Sequence, residues 1–319
     1  MNRFSAIPLF LFSILLFSCQ ENSKNEEVVE KENPSGGVEI VDSPSPAMKG
    51  NYVDDGYSKR GDGHDWVAVQ ITPLDKFYMR VSIRSRSDKK KPSCTYDTNA
   101  LIVDENTLKT YENGKTVLFR IQDDSLVIST ENKEDEGALY FFCSGGASIA
   151  GTYSKLDDEL DKSQMDSRDY VKSLSLFDDI FILEARAGKL SIEVPGVEID
   201  KGPYTHDLVG EVINAEVGDL NVDGSPEIFI YTKDAEGYGH LIAYSVNNGK
   251  SMSMVAVPEL KDNADAFAGY EGNDAFAVVE NSLVRRFPIE GGKKTRQIQY
   301  KLKDGEASRQ LVVDKVIVY

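Results

Sequence analysis

The first pattern along the chain is an apolar run over residues 4–17 (FSAIPLFLFSILLF), broken only by Ser5 and Ser13 and preceded by Met1, Asn2 and Arg3. A bilayer crossing takes about 20 apolar residues, so this run is too short to span one and has the length and flanks of a secretory signal core. From residue 20 to about 47 the chain is polar, carries Pro34, Gly36, Gly37, Pro44 and Pro46, and shows no apolar period, which predicts a flexible acidic tether. Strand-like alternation then takes over. Residues 65–71 (DWVAVQI), 77–83, 115–121, 125–129 and 138–143 (ALYFFC) read as strands, and Asn113–Gly114 as a tight hairpin turn. These predict a small antiparallel barrel or sandwich over residues 49–157.

A polar stretch, residues 157–164, reads as a linker. Beyond it strands are expected at 180–185, 189–193, 211–217, 227–231, 241–246, 253–257, 275–279, 282–287, 296–302 and 310–318. Asn248–Gly249 marks a second tight hairpin, and a short helix is expected near 262–266. The expected organisation is a signal at 1–18, a tether at 19–48, a small β domain at 49–157 and a β-sandwich at 168–319. The fold class is therefore mainly β, with two antiparallel β-barrel or sandwich domains.

Composition narrows the function classes. The 319 residues carry 36 Lys and Arg against 53 Asp and Glu, a formal net charge of −17. Nucleic acid is a poor partner for such a surface, because neutralising phosphates needs clustered cations. Cationic partners are favoured instead. Three histidines leave little material for a His-based metal or proton-relay site.

The three cysteines sort by position. Cys19 closes the apolar run, and the stretch Leu16, Phe17, Ser18, Cys19 resembles a bacterial lipobox, in which the signal is cut before a cysteine that is then lipidated. The resemblance implies an acylated Cys19 anchoring the chain to the outer membrane, facing the periplasm or the surface. The acidic residues after it resemble the surface-export signal of Bacteroidota lipoproteins; a mere spacer is the other reading. Cys94 and Cys143 are 49 residues apart, and in an exported chain a disulfide between them is the default. Catalysis by either would need a histidine partner, and this half offers only His64. Gly145 and Gly146 read either as a backbone nest for an anion or as a simple turn.

Asp219, Asn221 and Asp223, followed by Gly224, have D-x-N-x-D-G spacing, which can place three oxygen side chains on one side of a turn for calcium. Loop position 12, where an EF-hand has Glu, is Ile230 and a strand follows, so an EF-hand is excluded. A calcium loop on a β-hairpin and an Asx-rich turn that caps its own backbone both fit. The chain has no G-x-S-x-G, H-E-x-x-H, phosphate-loop or C-x-x-C motif, which favours a binding protein with no enzymatic activity over a glycan hydrolase.

Residues 217–231 (VGDLNVDGSPEIFIY), 233–241 (KDAEGYGHL), 283–288 (LVRRFP) and 296–302 (RQIQYKL) resemble the periplasmic inhibitors of invertebrate-type lysozyme. The resemblance covers the second domain. It implies an all-β fold that inserts a loop carrying Ser-Gly-x-Tyr into a lysozyme cleft. The matching positions are Ala235, Glu236, Gly237 and Tyr238, so the tyrosine is retained while Ala235 and Glu236 replace the serine and its glycine. The implied partner is an invertebrate-type lysozyme, met outside the inner membrane. The other function class is a surface binding or adhesion lipoprotein for glycans or proteins, with calcium as a candidate cofactor.

Overall fold

The computed structural model describes residues 46–88, 91–112 and 114–319; the signal, Cys19, most of the tether, Lys89, Lys90 and Asn113 lie outside the described residues. The fold is mainly β. Eight strands, β1 (Gly50–Val53), β2 (Val67–Pro73), β3 (Tyr78–Ser85), β4 (Thr95–Asp104), β5 (Thr107–Glu112), β6 (Lys115–Gln122), β7 (Ser125–Thr130) and β8 (Gly151–Leu156), close into an antiparallel barrel. Closure is made by β1, where Asn51 pairs with Gln70 of β2 on one side and with Leu156 of β8 on the other. The alternation in these strands turns Val69, Ile71, Val81, Ile83, Phe119 and Ile128 inward.

Residues 138–143 depart from the expected strand. They end a 3-10 segment, Lys133–Phe142. A short, continuously apolar run does not distinguish strand from helix by period. Here only Leu139 is buried, while Tyr140 and Phe141 face outward. The strands β1, β4, β5 and β8 lack strong sequence signals and were not expected, whereas barrel closure requires them. Cys94 and Cys143 are joined in a disulfide whose cysteines pack against the barrel core.

The remaining strands form three four-stranded antiparallel meanders. The first holds β9 (Tyr170–Leu176), β10 (Asp179–Arg186), β11 (Lys189–Glu193) and β12 (Tyr204–Asp207). The second holds β13 (Glu211–Gly218), β14 (Glu227–Lys233), β15 (Gly239–Val246) and β16 (Met252–Met254). The third holds β17 (Ala275–Val279), β18 (Ser282–Ile289), β19 (Lys294–Asp304) and β20 (Arg309–Val318). A short helix, α1 (Ala264–Phe267), lies between the last two sheets in sequence. Sheet-on-sheet packing is as expected, but there are three layers rather than the two of a simple sandwich. The middle sheet shows why. In β14, Ile228 and Ile230 pack into the core shared with the first sheet, and Phe229 and Tyr231 into the core shared with the third. A strand covered on both faces reads as a continuous apolar run, as residues 228–231 do.

Barrel and stack form one compact unit. Asp97, fully buried in β4, accepts from Arg84 at 2.7 Å and from the backbone of Val171 at 2.8 Å, and Arg84 reaches the carbonyls of Arg168 and Asp169. A bulge in β13 between Val212 and Asn214 turns carbonyls toward the barrel, where Arg80 donates to Val212 and Asn99 to Ile213. The expected linker connects the last barrel strand to β9 and is pinned down. Leu160 packs with Tyr57 and Trp66, and Asp161 donates its backbone N–H to the Tyr57 hydroxyl at 2.8 Å.

Candidate functional site

The loop between β14 and β15 is built by its own aspartate. Asp234 accepts the Tyr238 N–H through Oδ1 at 2.8 Å and meets His240 Nε2 through Oδ2 at 3.0 Å, while its carbonyl accepts from Gly237. The hydrogen bond to His240 holds the Asp234 carboxyl below its ordinary pKa, and the Tyr238 N–H adds to this. The four positions singled out from sequence, Ala235, Glu236, Gly237 and Tyr238, all lie in this loop. Ala235, Glu236 and Tyr238 are exposed.

The glycines around Tyr238 have separate reasons. Gly237 sits at φ 92°, in the left-handed region that favours glycine. Gly239 is buried against residues 274–276, where no side chain fits. From the far side, Asn273 donates its backbone N–H to the Gly237 carbonyl at 2.8 Å, and the Tyr270 ring lies 5.7 Å from that of Tyr238. The tyrosine is thus braced, with 40% of its surface in solvent.

Tyr238 stands over a groove of about 660 Å3 between the second and third sheets. Aromatic and apolar residues line it, among them Phe267, Tyr270, Phe276 and Met254, and a polar cluster forms its floor. There Asp274, with a fully buried side chain, accepts from Arg285 Nε at 2.6 Å, from the Tyr270 hydroxyl at 2.7 Å and from the Gly239 N–H at 2.8 Å. Burial opposes the Arg285 charge, but the Asp274 carboxylate more than offsets it and holds the guanidinium above its ordinary pKa. Desolvation and the neighbouring carboxylate both push the Tyr270 hydroxyl up, so it stays protonated and donating. Such a site offers an aromatic platform above a rigid, charge-balanced floor, suited to holding a partner's side chain or ring. Sequence reasoning gave Tyr270, Asp274 and Arg285 no role. They are distant from residues 235–238 in sequence, and no local motif joins them.

The second candidate constellation is also gathered in one loop. Asp219 accepts from the backbones of Asp223 and Gly224, and Asp223 from Ser225, so the carboxylates cap their own turn. Asn221 donates to Asp223 at 2.8 Å, and Arg309 donates to the same carboxylate at 2.5 Å. Sequence reasoning missed Glu227, which belongs here: buried, it accepts from the Leu220 N–H and the Ser245 hydroxyl. Desolvation raises its pKa to about 7, with the two hydrogen bonds and Arg309 opposing. Among the described residues, no three His, Cys, Asp or Glu side chains gather closely enough to hold a metal ion. Gly145 and Gly146 have φ 67° and 80° and turn the chain after the disulfide.

No protein-family model and no curated protein matches this chain.

Proposed function

We propose that this chain is a non-catalytic envelope lipoprotein, held to the outer membrane through Cys19, that binds an invertebrate-type lysozyme through the Tyr238 loop and blocks its cleft. The observation that supports this most is the bracing of Tyr238. A tyrosine held by Asp234, Tyr270 and Asn273, yet 40% exposed beside a groove, costs little entropy to present to a partner. The net charge of −17 favours fast encounter with a cationic enzyme at low salt. Glu236, where the inhibitors have glycine, would meet the carboxylates of a lysozyme cleft as a like charge, so Glu236→Gly is expected to tighten the complex. The test is lysis by an invertebrate-type lysozyme titrated with the purified chain. Inhibition that Tyr238→Ala weakens supports the reading, and unchanged lysis at large molar excess removes it.

The second reading, a calcium-assisted surface receptor for glycans or proteins, rests on the D-x-N-x-D-G spacing of Asp219, Asn221 and Asp223. Displacing Arg309 from Asp223 would be the first requirement of metal entry. A calcium-dependent rise in melting temperature that Asp223→Ala abolishes would favour it; titration calorimetry without heat would discard it.

A further inference from the structure

The third sheet packs Leu283, Phe287, Ile298, Tyr300 and Leu302 into the core it shares with the second. The alternate residues of the same strands therefore point to its other face, away from the Tyr238 groove. The cross-strand register sets Arg286 beside Gln297, Gln299 beside Lys315 in the next rung, then Lys301, and Lys303 beyond it. From the level of Gln297 to that of Lys303 is six residues of β19, about 20 Å of strand.

This face inverts the character of the chain. The whole carries −17, yet the residues of β17, β18 and β19 that point outward include no carboxylate. The acid nearest the four cations is Asp314, at the β20 bulge beside Lys315. Glu280, Glu290, Asp304 and Glu306 stand at the strand ends and turns, and Glu290 there pairs with Lys294.

The cations are also not neutralised. Among the described residues, none of Arg286, Lys301, Lys303 and Lys315 forms an ion pair. Arg286 donates to the neutral Gln297 amide at 2.7 Å, and Lys301 to the Asn281 side chain at 2.6 Å. Lys303 and Lys315 are exposed without side-chain hydrogen bonds. Gln299 spends its donor on Ser282 at 2.9 Å, which leaves its carbonyl oxygen, and the Gln297 amide donors, to solvent.

The occupant follows from this chemistry. Unpaired Lys and Arg select an anion, and the interleaved amides supply hydrogen bonds to hydroxyls. Exposed apolar side chains lie on opposite edges, Val279 on β17 and Ile317 on β20, so the middle of the face has neither the apolar centre of a protein interface nor a patch to insert into lipid. Cations strung along one strand match charges that recur along a linear polymer.

We propose that the outer face of the third sheet binds a linear carboxylated polysaccharide, with Arg286, Lys301, Lys303 and Lys315 meeting its carboxylates and Gln297 and Gln299 its hydroxyls. The site depends on neither the lysozyme contact nor the calcium loop. The experiment is titration calorimetry of the full chain with polygalacturonate and with its methyl ester, which keeps the sugars and removes the charge. Polygalacturonate is expected to bind, more weakly at high salt, and the ester to bind at least tenfold more weakly. A Lys301→Gln, Lys315→Gln chain should lose about tenfold in affinity. A Lys109→Gln, Lys155→Gln chain, which changes net charge equally from exposed barrel positions, should keep it. Tyr238→Ala and added EDTA should also leave binding unchanged, which separates this site from both earlier readings. Absent binding of polygalacturonate, equal binding of the ester, or the same loss in the barrel variant overturns the proposal. Capture of phosphatidylglycerol vesicles in place of the polymer overturns it too, and would make the face a lipid contact.

Discussion

Gly239 donates its backbone N–H to the Asp274 carboxylate at 2.8 Å, and a Cβ on Gly239 would stand 2.6 Å from the Asp274 Cβ and 2.9 Å from the Phe276 ring. One close approach therefore sets both the floor of the groove and the exit of the Tyr238 loop. Gly239→Ala is expected to destabilise the chain by about 2–3 kcal/mol, because a buried hydrogen bond and the packing around it must yield together. Urea unfolding checks it, and a cost within experimental error would show that the approach is not tight.

Tyr238→Ala should separate stability from binding. The ring is braced but substantially exposed, so the stability change should stay within about 1 kcal/mol. If Tyr238 anchors a lysozyme complex, the same change should weaken that complex by about 2 kcal/mol or more. Parallel melting curves and inhibition titrations measure the two quantities.

Val222 is β-branched, 72% exposed and held at φ 57° between Asn221 and Asp223. Its conformation costs a β-branched residue about 1–2 kcal/mol and costs glycine almost nothing. Val222→Gly should therefore stabilise the chain by about 0.5–1 kcal/mol after the added entropy of the unfolded glycine is subtracted. A lower denaturation midpoint would contradict this.

Glu227 predicts a pH dependence. Its folded pKa, near 7, lies above its ordinary value of 4.5. The unfolded chain thus releases this proton more readily than the folded one, so the contribution is fully present below about pH 4.5 and fades as the pH rises through 7. At 1.36 kcal/mol per pKa unit, the loss between those limits is on the order of 3 kcal/mol. Glu227→Gln should flatten the stability profile between pH 5 and about pH 8. An unchanged slope would assign that dependence to other groups.

Reduction of the Cys94–Cys143 disulfide, which closes a separation of 49 residues, should cost about 4 kcal/mol in the chain-entropy model. Because Phe142 directly precedes Cys143, reduction should also loosen the exposed aromatic segment. Thermal melts with and without reductant test the first part, and limited proteolysis within residues 133–142 of the reduced chain tests the second.

Much of the β architecture was legible because alternation and turns are local. Residues 67–71, 78–83 and 241–246 alternate or run apolar as strands do, and Asn248 and Gly249 take the two left-handed conformations their turn requires. The strands that escaped, such as β8 and β12, are short or polar, and their partners rather than their composition make them strands. The run at residues 138–143 was misread because strand and 3-10 segment can share an apolar composition.

The candidate site divides in the same way. The sequence by itself determined the loop, since Asp234, Gly237 and Tyr238 lie close together and their conformational needs are local. It likewise determined the acidity and, by elimination among three cysteines, the disulfide. Only the tertiary structure decided what the loop overlooks. Asp274 and Arg285 reach Gly239 and Tyr270 because the second and third sheets stack, and the wall formed by Phe141 and Ile180 arises because the barrel docks on the first. Those contacts join residues tens of positions apart in the chain. They form when buried apolar faces pack and buried polar groups find partners, and neither event leaves a local period or motif to read.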